Sequence, residues 1–308
     1  SVGGVLVPLN TRLKGGEAAY ILQASGARLL FTVGEFLGVK YPEQLRGHAL
    51  PALEQTVLLA GESAGTRAWE HFLAAGDAVP VSAVEQRAAA LTPDDTLDIL
   101  FTSGTTGKPK GVVTCHGQNI RTFETWSATV GLRSDDNYLI INPFFHSFGY
   151  KAGWLAAIIR GAHMLPVQSF DLEEVLTRIP RDRISMIPGP PTIYQSLLAH
   201  PRRADYDLSS LRLAVTGAAP VPVALVQQMR EQLGFEVVVT AYGLTETCGV
   251  VSICRADDSA ERISHSSGRA MDGVEMKCVD AEGAEVPAGA AGEIWCRGFN
   301  VMRGYLDN

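Results

Sequence analysis

Ten residues, 102–111 (TSGTTGKPKG), hold the densest chemistry of the sequence. Four are hydroxyl residues (Thr102, Ser103, Thr105, Thr106), three are glycines and two are lysines. Glycine lets backbone N–H groups converge on an anion, and hydroxyls add further donors. Lys108 and Lys110 bring positive charge. Together these residues are equipment for holding a polyphosphate. The spacing is not that of a Walker loop, which has four residues between its glycines and Ser or Thr after the lysine. Here two residues separate Gly104 from Gly107, and Pro109 follows Lys108. Nor is it GxGxxG, which disfavours a dinucleotide fold. The competing reading is a flexible polar turn. The donor density directly behind the apolar run LDILF argues against it.

Three other places carry chemistry with two readings each. His146 lies among Phe144, Phe145 and Phe148, as a satisfied core histidine or as a functional one. Glu246 sits in the run YGLTE behind an apolar strand, as a cation ligand or as an ordinary exposed acid. Lys151 is the lone cation in GYKAGWLAAII, as a partner for a polar group on a substrate or as a lysine on a helix surface.

The elements that must position these residues alternate. Compact apolar runs at 28–33, 56–60, 97–101, 138–141, 162–167, 184–187, 211–216 and 235–240 read as strands, most of them buried on both faces. Helical patterns lie between most of them, for example at 192–199 and 223–233. The stretch 61–95 reads as one short helix near 69–75 within looser chain. This alternation predicts an α/β fold of stacked, mostly parallel sheets with helices. After about residue 268 the helical pattern stops. Short strands at 273–279 and 292–298, joined by Gly-containing turns, predict a small β-rich subdomain over 268–308 behind an α/β core over 1–267.

The 308 residues carry 26 Lys and Arg against 33 Asp and Glu, a net charge of −7, and no basic stretch. That disfavours a nucleic-acid partner. With 46% hydrophobic residues there is ample material for a core, and no apolar run approaches the ~20 residues of a membrane span. No signal peptide is legible at the start. Cys115, Cys248, Cys254, Cys278 and Cys296 are odd in number and widely spaced, without a CxxC pair. They point to a reducing, cytoplasmic setting and to small core residues, not to disulfides or structural zinc. A homodimer is compatible with the sequence, which has no feature that fixes oligomeric state.

Taken together, the segments resemble the adenylate-forming superfamily of acyl-CoA synthetases, luciferases and peptide-synthetase adenylation domains. TSGTTGKPKG is similar to its phosphate loop. PFFHSFGY (143–150) is similar to the aromatic–His segment of acyl-CoA synthetases, AYGLTET (241–247) to the adenine and magnesium segment, and GEIWCRGFNVMRGY (292–305) to the motif closing the large domain. The match runs over nearly the whole chain. It implies a truncated large-domain fold and two half-reactions. A carboxylate and ATP give acyl-AMP and pyrophosphate, and a thiol, usually of coenzyme A, then displaces AMP.

The resemblance assigns roles residue by residue. Thr102, Ser103, Gly104, Thr105, Thr106, Gly107 and Lys108 would hold the β- and γ-phosphates. Thr245 would touch the α-phosphate, and Glu246 would bind Mg²⁺. Tyr242, beside Gly243, would pack on adenine, with Gly217, Ala218 and Ala219 leaving room for the flat base. For that last segment a simple tight turn is an equal alternative. His146 would border the carboxylate and orient it or gate the pocket. Phe148, Gly189, Pro190, Thr192 and Gly249, with Lys151, are the acyl-pocket candidates.

FFHSFGYKAG, PGPPTIYQSLL and VTGAAPVPV look closest to an actinobacterial branch. That branch activates the propanoate side chain of partly degraded steroid rings, an indanedione propanoate. Medium-chain fatty acids are the next substrate class. The ribose-binding Asp, the hinge and the small cap domain with its lysine are expected beyond Asn308, and an N-terminal segment before Ser1. Asp307 is not at the position of that Asp. The 308 residues alone are therefore expected to bind nucleotide but to adenylate poorly. Two alternatives stay open: an adenylating enzyme with another acceptor, such as a carrier protein, and a non-catalytic nucleotide-binding fragment.

Overall fold

The computed structural model describes residues 2–102 and 107–307. The chain divides into two compact units, Ser1–His116 with Arg303–Asn308, and Gly117–Met302. Residues 268–302 thus fall in the second unit. The fold class is the expected one, α/β with mostly parallel sheets.

In the first unit, β1 (Leu29–Thr32), β2 (Gln55–Leu58) and β3 (Arg67–Ala68) form a parallel sheet in that order. Leu30, Val57 and Leu58 are its buried residues, and helix Gly15–Ala24 buries Ala19, Ile21 and Leu22. Residues 61–95 hold two helices rather than the single one expected. Trp69–Gly76 is legible in the sequence, but Val81–Ala89 is not. The second has no buried residue, so no apolar stripe marks it in the sequence. A separate antiparallel sheet pairs β4 (Thr96–Thr102) with β5 (Lys110–Cys115), and Gly304–Tyr305 pairs with β5 in turn. The candidate phosphate loop therefore connects two antiparallel strands. β5 is not legible as a strand because its run, KGVVTC, begins with Lys and Gly. At the centre of this sheet Asp98 is fully buried and accepts a 2.7 Å hydrogen bond from the Thr114 hydroxyl.

The second unit is built on seven strands: β6 (Asn137–Ile140), β7 (His163–Pro166), β8 (Met186–Gly189), β9 (Leu213–Thr216), β10 (Val237–Tyr242), β11 (Ser252–Ile253) and β12 (Arg269–Ala270). Their order is β12-β11-β10-β9-β8-β6-β7. The run from β10 to β7 is parallel, and β11 and β12 add antiparallel strands at one edge. All four residues of β8 and of β9 are buried, as strands covered on both faces must be. The helix Leu172–Asp182 shows the local logic of the crossovers. Asp171 caps it by accepting from the Glu174 N–H, two acids occupy its first turn, and Val175, Leu176 and Ile179 face the core. Beyond β12, β13 (Val274–Val279) and β14 (Glu293–Gly298) form the expected antiparallel ribbon.

The chain runs from β6 outward to β7, then returns to β8 on the other side of β6. The sheet therefore has a topological switch point between β6 and β8. Pairing there is confined to Tyr138 with Met186. Pro188, two residues on, has no N–H with which to extend the ladder. Its carbonyl instead accepts from the Asn142 side-chain amide at 3.1 Å.

The amino ends of the same strands are tied by Asp136. Its carboxylate accepts from Arg133 N–H at 2.8 Å, from the Ser185 hydroxyl at 2.7 Å and from Arg212 Nε at 3.2 Å. Both Asp136 and the Arg212 head are largely shielded, with 3% and 12% of their side-chain surface exposed. Removing one partner of such a pair strands a buried charge. Asp136→Ala should therefore lower stability by about 3–5 kcal/mol, read as a lower urea midpoint at constant slope.

Candidate active site

Four of the connections leaving the carboxyl ends of parallel strands carry the second-unit candidates. Residues 141–155 come after β6 and hold His146, Phe148 and Lys151. Gly189 ends β8, and Pro190 leads into helix Pro191–Ala199 with Thr192 in its first turn. Gly217, Ala218 and Ala219 come directly after β9. Tyr242 ends β10, and Gly243, Thr245, Glu246 and Gly249 come just after it.

These connections interlock through backbone approaches that only small residues allow. A Cβ on Gly149 would clash with the carbonyl oxygens of Asn142 and Pro143, and one on Gly243 with the Gly249 carbonyl. Gly249 adopts φ +101, and a Cβ there would stand 3.1 Å from the Ser147 Cβ. The turn after β10 therefore touches the segment after β6. A Cβ on Gly189 would meet Ile193 Cδ1 at 2.5 Å, and one on Gly217 would stand 3.5 Å from the Ala241 carbonyl.

The turn holding Thr245 and Glu246 is a short 3₁₀ segment, Thr245–Thr247, with both candidates half-buried. The Thr247 hydroxyl accepts from Leu244 N–H, and Gly249 N–H donates to the Leu244 carbonyl at 2.8 Å. Two bonds from the end of the unit clip this turn in place. Met302 N–H donates to the Glu246 carbonyl at 2.8 Å and the buried Asn300 side-chain amide donates to the Val250 carbonyl at 2.7 Å, while the Gln118 amide anchors this end of the chain by donating to the Val301 carbonyl. Asn300 is a residue that sequence reasoning misses. Its place in GFNVMRGY is the available signal, and its side-chain role shows only once 250 and 300 are adjacent.

Tyr242 is half-buried and packs on the core. On the neighbouring strand, where Thr216 at the end of β9 pairs with Thr240, the Thr216 hydroxyl is buried and makes no hydrogen bond to a described residue. Ala218 stands at φ +62, a left-handed conformation that costs a non-glycine residue about 1–2 kcal/mol. An orphaned polar atom and a strained small residue at adjacent positions, at the end of a strand paired with the one that Tyr242 ends, fit a site for a flat polar ligand.

His146 caps the short Ser147–Gly149 turn, its Nδ1 accepting from the Phe148 N–H at 3.1 Å. It remains open to solvent on one side, yet the packing around the ring pushes its pKa below the ordinary histidine value. Phe148 packs on the core. Lys151 is fully buried, which overturns the reading of a lysine on a helix surface. It lies in a π-helical turn, Tyr150–Leu155, a widened geometry that the apolar pattern GYKAGWL does not announce.

In the first unit, Thr102 ends β4 and is half-buried, while Gly107 and Lys108 are exposed. Lys108 Nζ lies 5.5 Å from the Tyr20 ring centre, and Lys110 Nζ lies 5.0 Å from that of Tyr305. Ser103, Gly104, Thr105 and Thr106, expected to hold phosphate, lie outside the described residues. Among the described residues, no group of three or more His, Cys, Asp or Glu could hold a metal ion. The Glu246 carboxylate fits Mg²⁺ arriving with a nucleotide, since that ion is held by one or two carboxylates together with phosphates and water. Among the cysteines, Cys115, Cys248 and Cys254 are buried as expected, but Cys278 is exposed on the β13–β14 ribbon.

The model of the family of AMP-binding enzymes matches residues 1–306. The chain belongs to that family. It is 49% identical over 306 residues to the 3-[(3aS,4S,7aS)-7a-methyl-1,5-dioxo-octahydro-1H-inden-4-yl]propanoyl:CoA ligase of Mycobacterium tuberculosis, and 45% identical over 312 residues to the ligase of the same name from Rhodococcus jostii. Each alignment takes in 99% of this chain but 58% of the relative, so the chain spans little more than half their length. Among solved structures it is similar to an anthranilate CoA ligase in complex with anthranoyl-AMP. The TM-score is 0.82 at 29% identity, with 99% of this chain and 57% of the other covered. No helix among the described residues of this family member is long and apolar enough to cross a membrane.

The Phe148 N–H donates to Nδ1, so the neutral His146 ring carries its proton on Nε2. A ¹⁵N-detected titration of the ring should show that tautomer at neutral pH and a midpoint below that of free histidine. A midpoint at or above the free value contradicts the desolvated ring.

Proposed function

We propose that this chain supplies the ATP- and acid-binding part of an AMP-forming acyl-CoA ligase. The observation that carries the reading is the meeting of the post-β6 and post-β10 segments beside the switch point, with His146 on one and Thr245 and Glu246 on the other. Open α/β sheets bind ligands at such points.

In this reading the acid's carboxylate attacks the α-phosphorus of ATP, forming acyl-AMP and releasing pyrophosphate. The thiol of coenzyme A then attacks the acyl carbonyl, forming the thioester and releasing AMP and a proton. Thr102, Ser103, Gly104, Thr105, Thr106, Gly107 and Lys108 hold the β- and γ-phosphates. Tyr242 and Gly243, with Gly217, Ala218 and Ala219, receive the adenine, and the orphaned Thr216 hydroxyl is a polar group beside them. Thr245 contacts the α-phosphate, and Glu246 ligates the Mg²⁺ that comes with ATP and offsets phosphate charge. His146, whose neutral form is favoured by the packing around its ring, presents its Nε2–H to the carboxylate and orients it. The chemistry is positioning and charge neutralisation, which the interlocked turns supply.

The acid is a propanoate on a fused, diketone-bearing ring system. That assignment is supported by the two ligases at 49% and 45% identity, named for such an acid. Phe148, Gly189, Pro190, Thr192, Gly249 and Lys151 line its place. The protein works in the cytoplasm.

The full natural protein, given ATP, Mg²⁺, coenzyme A and a panel of acids, should release AMP and form the thioester. The diketo bicyclic propanoate should give the highest kcat/KM, with medium-chain fatty acids at least about tenfold lower. A pantetheine-loaded carrier protein in place of coenzyme A should yield no thioester. Preference for the carrier, or AMP release with no acid accepted into acyl-CoA, would overturn the reading. Glu246→Gln should lower kcat by about 100-fold or more, measured at saturating acid.

A further inference from the structure

Asn300 has no exposed surface, and one end of its side-chain amide has no partner among the described residues. Nδ2 donates to the Val250 carbonyl at 2.7 Å, while Oδ1 is buried without a hydrogen bond. Burying a primary amide with one end unpaired is costly. The chain nevertheless makes room for it, since a Cβ on Gly298 would stand 3.0 Å from Oδ1. The bond that the amide does make runs to a residue 50 positions away, at the exit of the turn that carries Thr245 and Glu246.

The segment holding Asn300 is itself braced. Val301 N–H donates to the Gly298 carbonyl at 3.3 Å, which folds 298–301 into a turn. Helix His116–Val130 holds that turn at two points. The Arg121 guanidinium lies 3.9 Å from the Phe299 ring centre, and the Gln118 amide donates to the Val301 carbonyl. From this brace two bonds reach the turn after β10: Asn300 to the Val250 carbonyl, and Met302 N–H to the Glu246 carbonyl at 2.8 Å. The base of the same turn is closed by Val251 N–H on the Tyr242 carbonyl at 2.7 Å. The peptide of Glu246 is thus tied through a short segment to a helix. Of the two bonds from that segment, the one made by Asn300 belongs to a side chain, so a substitution can remove it.

We propose that Asn300 is a positioning residue for the acyl-CoA ligase reaction, acting through Glu246. Its amide sets the register of 300–302 against the turn, so that Met302 N–H meets the Glu246 carbonyl and the Glu246 side chain leaves the backbone in one direction. The inference rests on the reading of Glu246 as the carboxylate that holds the nucleotide's Mg²⁺. At such a centre a displacement of about 1 Å costs on the order of 100-fold in rate. Without the amide donor the Val250 carbonyl loses this partner, and the turn is held by the Met302 bond with no side chain to fix its register.

The test is a double-mutant cycle on the full natural protein. It reads kcat for coenzyme A-dependent AMP release at saturating ATP, Mg²⁺ and acid. Asn300→Leu, close in shape but without the donor, should lower kcat about 30-fold and leave the KM for the acid within about threefold. Added to Glu246→Gln, it should lower kcat by no more than about a further threefold, because groups that act through one another are not additive. Ile179→Ala, a cavity in the core-facing side of helix Leu172–Asp182, is the control for lost stability. It should lower Tm and keep kcat of the folded enzyme within about twofold of wild type. If Asn300→Leu does not fold, Gln118→Met enters the same cycle, releasing the Val301 carbonyl instead, with an expected loss of at least about fivefold. Unchanged kcat in the folded variant, its full effect on top of Glu246→Gln, or a matching loss in Ile179→Ala overturns the role of Asn300 alone. A wild type that releases no AMP with any acid of the panel, or a Glu246→Gln enzyme with wild-type kcat, overturns the reading of the site and this inference with it.

Discussion

The second unit depends on the place where β6 and β8 stop pairing. One residue pair, Tyr138 with Met186, joins them before the strands part. The reason lies in the covalent structure of one residue: Pro188 has no N–H to donate, so the ladder cannot continue. Asn142 turns this into a stable arrangement by taking up the free Pro188 carbonyl with its side-chain amide. The connection after β6 is thereby anchored to β8 at its first step. The chain reversal that puts β7 on one side of β6 and β8 on the other makes this the switch point of the sheet.

The connections leaving β6 and β10 can then be close only where side chains are missing. Gly149 folds the 142–150 connection back on its own carbonyls, and Gly243 lets the turn after β10 close on Gly249. Gly249 in turn comes against Ser147. These are steric constraints, independent of any ligand, and they fix the geometry of Thr245 and Glu246 relative to His146 within this unit. The clip formed by Asn300 and Met302 holds the same turn by hydrogen bonding. The backbone that carries Glu246 is thereby held at both flanks.

The strands of this unit are legible in the sequence because strands buried on both faces must be continuous apolar runs. β8 and β9 are examples, although the apolar run at 184–187 begins before β8 pairs. The candidate segments are legible because the Gly-Thr-Lys run at 102–111 and the Tyr-Gly-Leu-Thr-Glu turn are dense in donors, small residues and charge. Three features are not. β5 opens on Lys and Gly, and its strand character comes from pairing with β4 and with Gly304–Tyr305, which lies some 190 residues away in the chain. Helix Val81–Ala89 has no apolar face to reveal it. Lys151 reads as a surface cation on helical periodicity alone, yet it is fully buried within the π-helical turn. In each case the deciding interaction is either non-local or a departure from regular helix geometry.

The two ends of the sheet are unequal. At the amino ends Asp136 satisfies Arg133, Ser185 and Arg212 together, and the local rules of pairing and burial agree with the fold. At the carboxyl ends they conflict. The described residues of this unit include three non-glycine residues with left-handed φ: Arg183, Ala218 and Cys248. Arg183 and Cys248 are C-caps, of helix Leu172–Asp182 and of the Thr245–Thr247 turn, where that conformation is ordinary. Ala218 lies in the connection after β9. At the same edge is the Thr216 hydroxyl, orphaned among the described residues. A sequence free to optimise stability would place glycine at 218 and an apolar side chain at 216. Strain and polar burial retained on one edge of an otherwise well-satisfied sheet are what a site shaped for ligands rather than for the apo fold requires.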